Sequence, residues 1–203
     1  MVSVCDTGLV ADARALAADL LVGLDERWRH TQAVADRAAA VAAVLPEGER
    51  AALVAAAWLH DVGYAAALRR SGFHPLDGAW YLRDVRWPDP VPGLVAHHSA
   101  ARFVAAARGL GGPLRAFPAS RYAVGPGADA LVYADQTIGP AGRDMDVEER
   151  LAEMLQRHGP HSVQAIAHAR RAPAIRLAVR RTQLRMGLVA EVPTGTTPVP
   201  TPS

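Results

Sequence analysis

Histidine and aspartate occur in this sequence at positions where they could hold a metal ion. His60 and Asp61 are adjacent at the end of an apolar, alanine-lined stretch that closes on Trp58-Leu59. Neighbouring helical side chains point about 100° apart. The pair can therefore face one cavity only if that cavity lies at the helix end, where the pair sits. Imidazole supplies a neutral nitrogen and a carboxylate can bridge two cations, so the pair suits a divalent ion. Taken alone, it reads equally well as a helix-end histidine beside a solubilising aspartate. His30 lies in an otherwise apolar-periodic helix, Arg27-Trp28-Arg29-His30-Thr31-Gln32-Ala33-Val34, and by itself is as consistent with a satisfied core or surface histidine as with a ligand. Asp135 stands in Leu131-Val132-Tyr133-Ala134-Asp135-Gln136-Thr137-Ile138, and a carboxylate in so apolar a helix needs a partner.

The order His30, His60-Asp61, Asp135 resembles the HD superfamily of metal-dependent phosphohydrolases, all-α domains with the signature H…HD…D. The likeness spans residues 26–140 and extends to the flanks: Arg27-x-x-His30-Thr31-x-x-Val34, Trp58-Leu59-His60-Asp61-Val62-Gly63 and Tyr133-Ala134-Asp135. Between the HD pair and the last aspartate, Phe73-His74-Pro75-Leu76-Asp77-Gly78-Ala79 is similar to the His-Pro-x-x-Gly-Ala element of the two-metal branches. Val95-Ala96-His97-His98-Ser99 is similar to the helix that gives them one or two further histidines. The order H…HD…H…HH…D is that of HD-GYP-type cyclic-dinucleotide phosphodiesterases, and it contains the shorter set of diadenosine-tetraphosphate hydrolases. The resemblance implies that His30, His60, Asp61 and Asp135 hold one ion. Asp61 would bridge to a second ion held by His74 and His98 or His97, one of that adjacent pair supporting rather than ligating. Without the family, His74 reads as a helix cap and His97 and His98 as surface residues. The implied cofactor is two divalent ions, iron or manganese, with magnesium, nickel or cobalt also compatible.

The chain departs from these relatives in ways that bear on substrate. The Gly-Tyr-Pro motif is replaced after His98 by Ala100-Ala101-Arg102, and the phosphate-contacting lysine after the HD pair is replaced by Tyr64. No lysine occurs anywhere, so arginine must contact phosphate, a task that suits its planar fork. Ile138-Gly139-Pro140-Ala141-Gly142-Arg143 resembles a stretch of the dinucleotide-polyphosphate hydrolases, without its glutamate, and nominates Arg143. Arg27 and Arg102 are further candidates. The activity implied is hydrolysis of a nucleotide or other phosphate ester or anhydride by a metal-activated water, with His60 and Asp61 at its centre. The same ligand set also serves mixed-valent diiron oxygenases, and a catalytically idle nucleotide-binding module is a third reading. His158, His161 and His168 are expected on the surface, as are the Arg170-Arg171 and Arg180-Arg181 doublets. Cys5, far from any His-Asp arrangement, is not expected to act as a nucleophile.

The elements that must position these residues are helical. Alanine and leucine at helical spacing predict helices over 11–24, 26–45 and 49–63, with Pro46-Glu47-Gly48 as a turn. A short helix over 64–70 precedes one entered at His74-Pro75 and running to 85. The proline-rich 87–93 reads as a loop, 94–108 as a helix, 109–127 as an irregular connection and 128–138 as a buried helix. Helices follow over 147–158 and 162–186, the latter broken or kinked at Pro173. No stretch alternates with period two and no internal repeat occurs. The expected fold is all-α, an HD-type helical bundle: an N-terminal helix (1–24) packed on a metal-binding core (25–140), helices over 141–190 that complete the domain, and a disordered Pro/Thr tail (191–203).

Composition narrows the partners. Half of the 203 residues are hydrophobic but only 5% are aromatic; 42 are alanine. One cysteine excludes an internal disulfide and a thiolate metal site. No apolar run reaches the ~20 residues of a membrane span, and the first residues lack a secretory pattern, so a cytoplasmic setting is expected. A net charge of +2 with scattered arginines gives no strong nucleic-acid signal. A small phosphate-bearing molecule is the expected partner.

Overall fold

The structure, a computed structural model, describes residues 4–188, with side chains from residue 8 onward. The expected tail lies outside the described residues. The architecture is all-α: α1 (Val4–Leu20), α2 (Asp25–Val41), α3 (Glu47–Leu59), α4 (His74–Asp84), α5 (Val91–His97), α6 (Ala101–Ala107), α7 (Gly111–Leu114), α8 (Ala119–Tyr122), α9 (Pro126–Gln136), α10 (Val147–His158) and α11 (Val163–Arg185). Among the described residues no strand forms, and no helix is long and apolar enough to cross a membrane.

The alanine content has a packing consequence. Ala13 and Ala17 of α1, Ala35 and Ala38 of α2, and Ala55, Ala56 and Ala57 of α3 are all buried. Side-chain size at the contact sets interaxial distance, so these three helices can pack closely, α1 and α2 both against α3. The larger core residues Leu53, Leu59, Leu76, Leu131 and Ile175 carry this core across to α4, α9 and α11. At one end α11 is pinned to α9 by Arg185, which donates to the buried Asp129 at 2.9 Å. Arg176 donates twice to Glu148, at 2.6 Å each, and ties α11 to α10.

Several expectations about elements need correction: the first helix is Val4–Leu20 rather than 11–24, and in place of a short helix over 64–70 stand two 3-10 turns, Val62–Tyr64 and Ala66–Leu68. The segment 94–108 is not one helix. It divides into α5 and α6 at Ser99 and Ala100, whose φ values of 52° and 54° lie in the left-handed region. Helix α5 also starts earlier than the proline-rich sequence suggested, because Pro92 falls in its first turn, where the missing N–H has no intrahelical acceptor to lose. Helix α11 runs on through Pro173 without a break. The connection 109–127 is mainly irregular, with the single turns α7 and α8 inside it.

The end of α4 allows a test of local backbone energetics. Trp87 N–H donates to Leu82 O (2.9 Å) and Arg86 N–H to Arg83 O (3.0 Å), the double closure of a Schellman motif. The left-handed position is held by Arg86 at φ 63°, although glycine adopts it without steric cost. Arg86→Gly is expected to stabilise the fold by about 1 kcal/mol and to raise Tm by about 2–4 °C. Thermal unfolding followed by circular dichroism checks this; a lowered Tm would show that the arginine side chain contributes more than its backbone costs.

Candidate metal centre

Helix α3 ends at Leu59, and the chain then tightens into a 3-10 turn, Val62–Tyr64. This change of pitch brings His60 and Asp61 to one side. The turn is pressed against the start of α4: a Cβ on Gly63 would lie 2.0 Å from His74 O, so only glycine fits. His74 is the first residue of α4, with no side-chain capping bond, and Pro75 follows in the first turn. Asp77, also buried, accepts from Ser71 N–H (2.8 Å), Ser71 Oγ (2.7 Å) and Gly72 N–H (3.0 Å), which fixes the entry to this helix. The left-handed pair after His98 turns the chain so that Ser99 reaches α9.

His30, His60, Asp61, His98 and Asp135 are each at most 4% exposed, and they converge. His30 Nε2 lies 3.1 Å from Asp135 Oδ1. His60 Nε2 lies 3.4 Å from Asp61 Oδ2 and 3.9 Å from Asp135 Oδ1. On the other side of Asp61, Oδ1 is 3.3 Å from His74 Nε2 and 3.9 Å from His98 Nε2. The two imidazole nitrogens of His74 and His98 are 3.2 Å apart. Two groups therefore have ligand atoms all within 4.8 Å of one another: His30, His60 and Asp61, and Asp61, His74 and His98. Asp61 belongs to both.

The hydrogen bonds behind the rings fix which nitrogens face the centre. A carbonyl can only accept, so each ring nitrogen facing one carries the proton. His30 Nδ1–H donates to Gly139 O (3.0 Å), His60 Nδ1–H to Ala57 O (2.7 Å) and His98 Nδ1–H to Val95 O (2.7 Å). In the neutral ring, Nε2 then presents a lone pair to the centre, the arrangement that orients metal-ligating histidines. His60 Nε2 is buried without a hydrogen-bond partner, and its nearest polar neighbours are carboxylate oxygens. Acceptors facing acceptors at these distances call for a cation, and nitrogen and carboxylate ligands suit a divalent metal. The residues present fit such an ion on both sides of Asp61.

Both carboxylates are held ionised. Burial opposes the charge of Asp61, but His60, Arg27, His74 and His30 outweigh it and keep the group well below the usual carboxylate range. Asp135 is likewise opposed by burial and held well down by the histidines around it, His30 first and then His60 and His98, whose ring protons stand where a cation would displace them. Its Oδ2 also accepts from Ser99 Oγ and from Gln136 Nε2 (3.0 Å). Burial pushes His74 and His98 below the ordinary histidine value, so both favour the neutral, ligating form. Arg27 Nη1 donates to Asp61 Oδ2 at 3.0 Å, and its guanidinium lies over the Tyr64 ring, 4.5 Å from the centroid. Tyr64 in turn stacks on His74, centroids 4.0 Å apart; burial and Asp61 push its phenol up to about 12.

Of the sequence candidates, His30, His60, Asp61, His74, His98, Asp135 and Arg27 are brought together. His97 is not: its Nε2–H donates to Phe117 O at 2.7 Å, because consecutive side chains on α5 diverge and the turn after His98 favours only the second. Arg143 is exposed and does not line the cleft; its carbonyl accepts from Gly139 N–H (2.7 Å), closing the loop whose Gly139 carbonyl orients His30. Arg102 is directed to Ala123 O (3.4 Å) and over Phe103, away from the centre. The arginines that line the cleft beside Arg27 are Arg150, Arg157 and Arg171. Arg171 is buried, not part of a solvated face. His158 is exposed, as expected, yet stands at the cleft's rim; His161 is exposed and His168 half-buried, and neither lines it. Local spacing carried no signal for these arginines, since they reach the centre through the packing of α10 and α11.

Compared with family models, with curated proteins and with solved structures, the chain matches none.

Proposed function

We propose that this chain is a metal-dependent phosphohydrolase of the HD type, acting on a nucleotide or other phosphate ester or anhydride. One observation carries the reading: three imidazoles, pinned from behind by main-chain carbonyls, turn their free nitrogens onto two ionised, buried carboxylates. His30, His60, Asp61 and Asp135 would hold one divalent ion, and Asp61, His74 and His98 a second. Such ions, when bound, supply Lewis acidity toward phosphate oxygens and lower the pKa of water.

The chain's own residues do the rest. Asp61, with one oxygen toward each ligand group, fixes the spacing of the two sides. Arg27 holds that carboxylate in register through its 3.0 Å hydrogen bond. Tyr64, stacked on His74, screens that ring from solvent. Ser99 and Gln136 anchor Asp135 from the side opposite His30.

Metal analysis of anaerobically purified protein, followed by phosphate release from a panel of nucleotides and phosphate esters, tests the proposal. Two equivalents of iron or manganese with released phosphate is the expected result. Oxygen consumption by the iron-loaded protein without phosphate release would replace it with diiron oxygenase chemistry, and stoichiometric metal with neither would leave a binding module.

A further inference from the structure

The cleft above the ligands has a second wall, from α10 and α11, for which the metal centre has no use. Arg171 is only 8% exposed. Among the described residues it forms no ion pair; its Nε donates to Ser99 O at 2.9 Å. Burial depresses its pKa to about 10, so it remains a cation at neutral pH. Arg150 is 6% exposed, and although one end pairs with Glu153, its Nε is buried with no partner. Arg157, at the rim, shares Glu153 with it (3.2 Å). A buried cation without a counter-charge is costly; Arg171 is one, Arg150 keeps a buried donor unmet, and both line one cleft with Asp61, His74, His98 and Asp135. The cleft volume is about 100 Å³, small beside the roughly 300–1,000 Å³ of sites that engulf a whole drug-sized ligand. It suits one compact anionic group.

Resting on the phosphohydrolase reading above, we propose that Arg150 and Arg171, with Arg157 at the mouth, bind the oxygens of a terminal phosphate group that point away from the metal ligands, while the leaving group stays outside the cleft. Guanidinium groups pair with phosphate through charge-assisted hydrogen bonds, and the unpartnered Nε of Arg150 supplies one such donor. Ser99 links the two walls. Its carbonyl accepts from Arg171 while its hydroxyl donates to Asp135, so the strained residue that completes the metal side also sets the position of the anion side.

The probe is inorganic phosphate, titrated calorimetrically into the full chain, metal-free and metal-loaded, at fixed salt. Arg171→Met is expected to weaken phosphate binding at least about tenfold in both forms, with metal content unchanged. Its Tm is expected to match or exceed that of the parent, since a buried unpaired charge has been removed. Arg157→Gln, at an exposed rim position whose change does not threaten folding, is expected to weaken binding several-fold. Phosphate affinity equal to the parent's in either soluble variant overturns the proposal while leaving the metal reading intact. Loss of metal from the parent protein would refute that reading instead, and the metal-free titration would still decide on the wall.

Discussion

Asp61→Ala protein is expected to purify with neither ion and to lose at least about three orders of magnitude in phosphate release, on the order of 4 kcal/mol of transition-state stabilisation. The size of the effect follows from topology. The other residues of the proposed centre face one side each, whereas the two oxygens of Asp61 face different histidine groups, 3.4 Å from His60 and 3.3 Å from His74. The substitution also leaves Arg27 without its acceptor and so places an uncompensated guanidinium beside the ligands. Asp61→Asn separates shape from charge: it keeps an oxygen for Arg27 but halves the ligating capacity, and it too is expected to be metal-poor and inactive. Metal analysis, far-ultraviolet circular dichroism and phosphate release on the same preparations check this. A folded, metal-free Asp61→Ala protein with full turnover would refute the mechanism.

Gly63→Ala is expected to cost about 3 kcal/mol of stability and to empty one side of the centre in preference to the other. The added methyl would lie 2.0 Å from His74 O and 2.7 Å from Gly78 N. Both are backbone atoms, so no rotamer change can relieve the clash. Helix α4 must move off the turn and carry His74 with it, away from Asp61 and His98. Gly78→Ala, whose methyl would meet Gly63 N at 3.1 Å, should show a weaker form of the same effect. Thermal unfolding with metal counting distinguishes the outcomes: one equivalent retained by Gly63→Ala with a depressed Tm is expected, and two equivalents at an unchanged Tm would show that the helix yields freely.

The helical class and the position of most helices were legible because Ala and Leu periodicity, Pro46-Glu47-Gly48 and Gly139-Pro140 are local signals. The convergence of His30, His60, Asp61 and Asp135 was legible for a different reason. It came from the order of these residues and its resemblance to the HD superfamily; taken singly, only Asp135, a carboxylate in an apolar helix, called for a partner. The bend at Ser99 and Ala100 was not legible, since neither residue advertises a left-handed backbone, and with it went the choice between His97 and His98. The arginines misled for a related reason. Arg143 and Arg102 lie near the ligands in sequence, whereas Arg150 and Arg171 arrive through the return of α10 and α11 over α9, a long-range packing that local patterns do not encode.

His30 and Asp135 stand 105 residues apart and meet at 3.1 Å. An ion seated between them, with His60 and Asp61, would act as a cross-link closing a loop of that length, in a chain whose single cysteine cannot supply an internal one. Loop-closure entropy rises with the logarithm of the span, and an ion that binds only the folded form adds its binding free energy to stability. The residues of the proposed metal site would thus also rivet the amino-terminal half of the domain to α9, and chelation of a bound ion would loosen the domain.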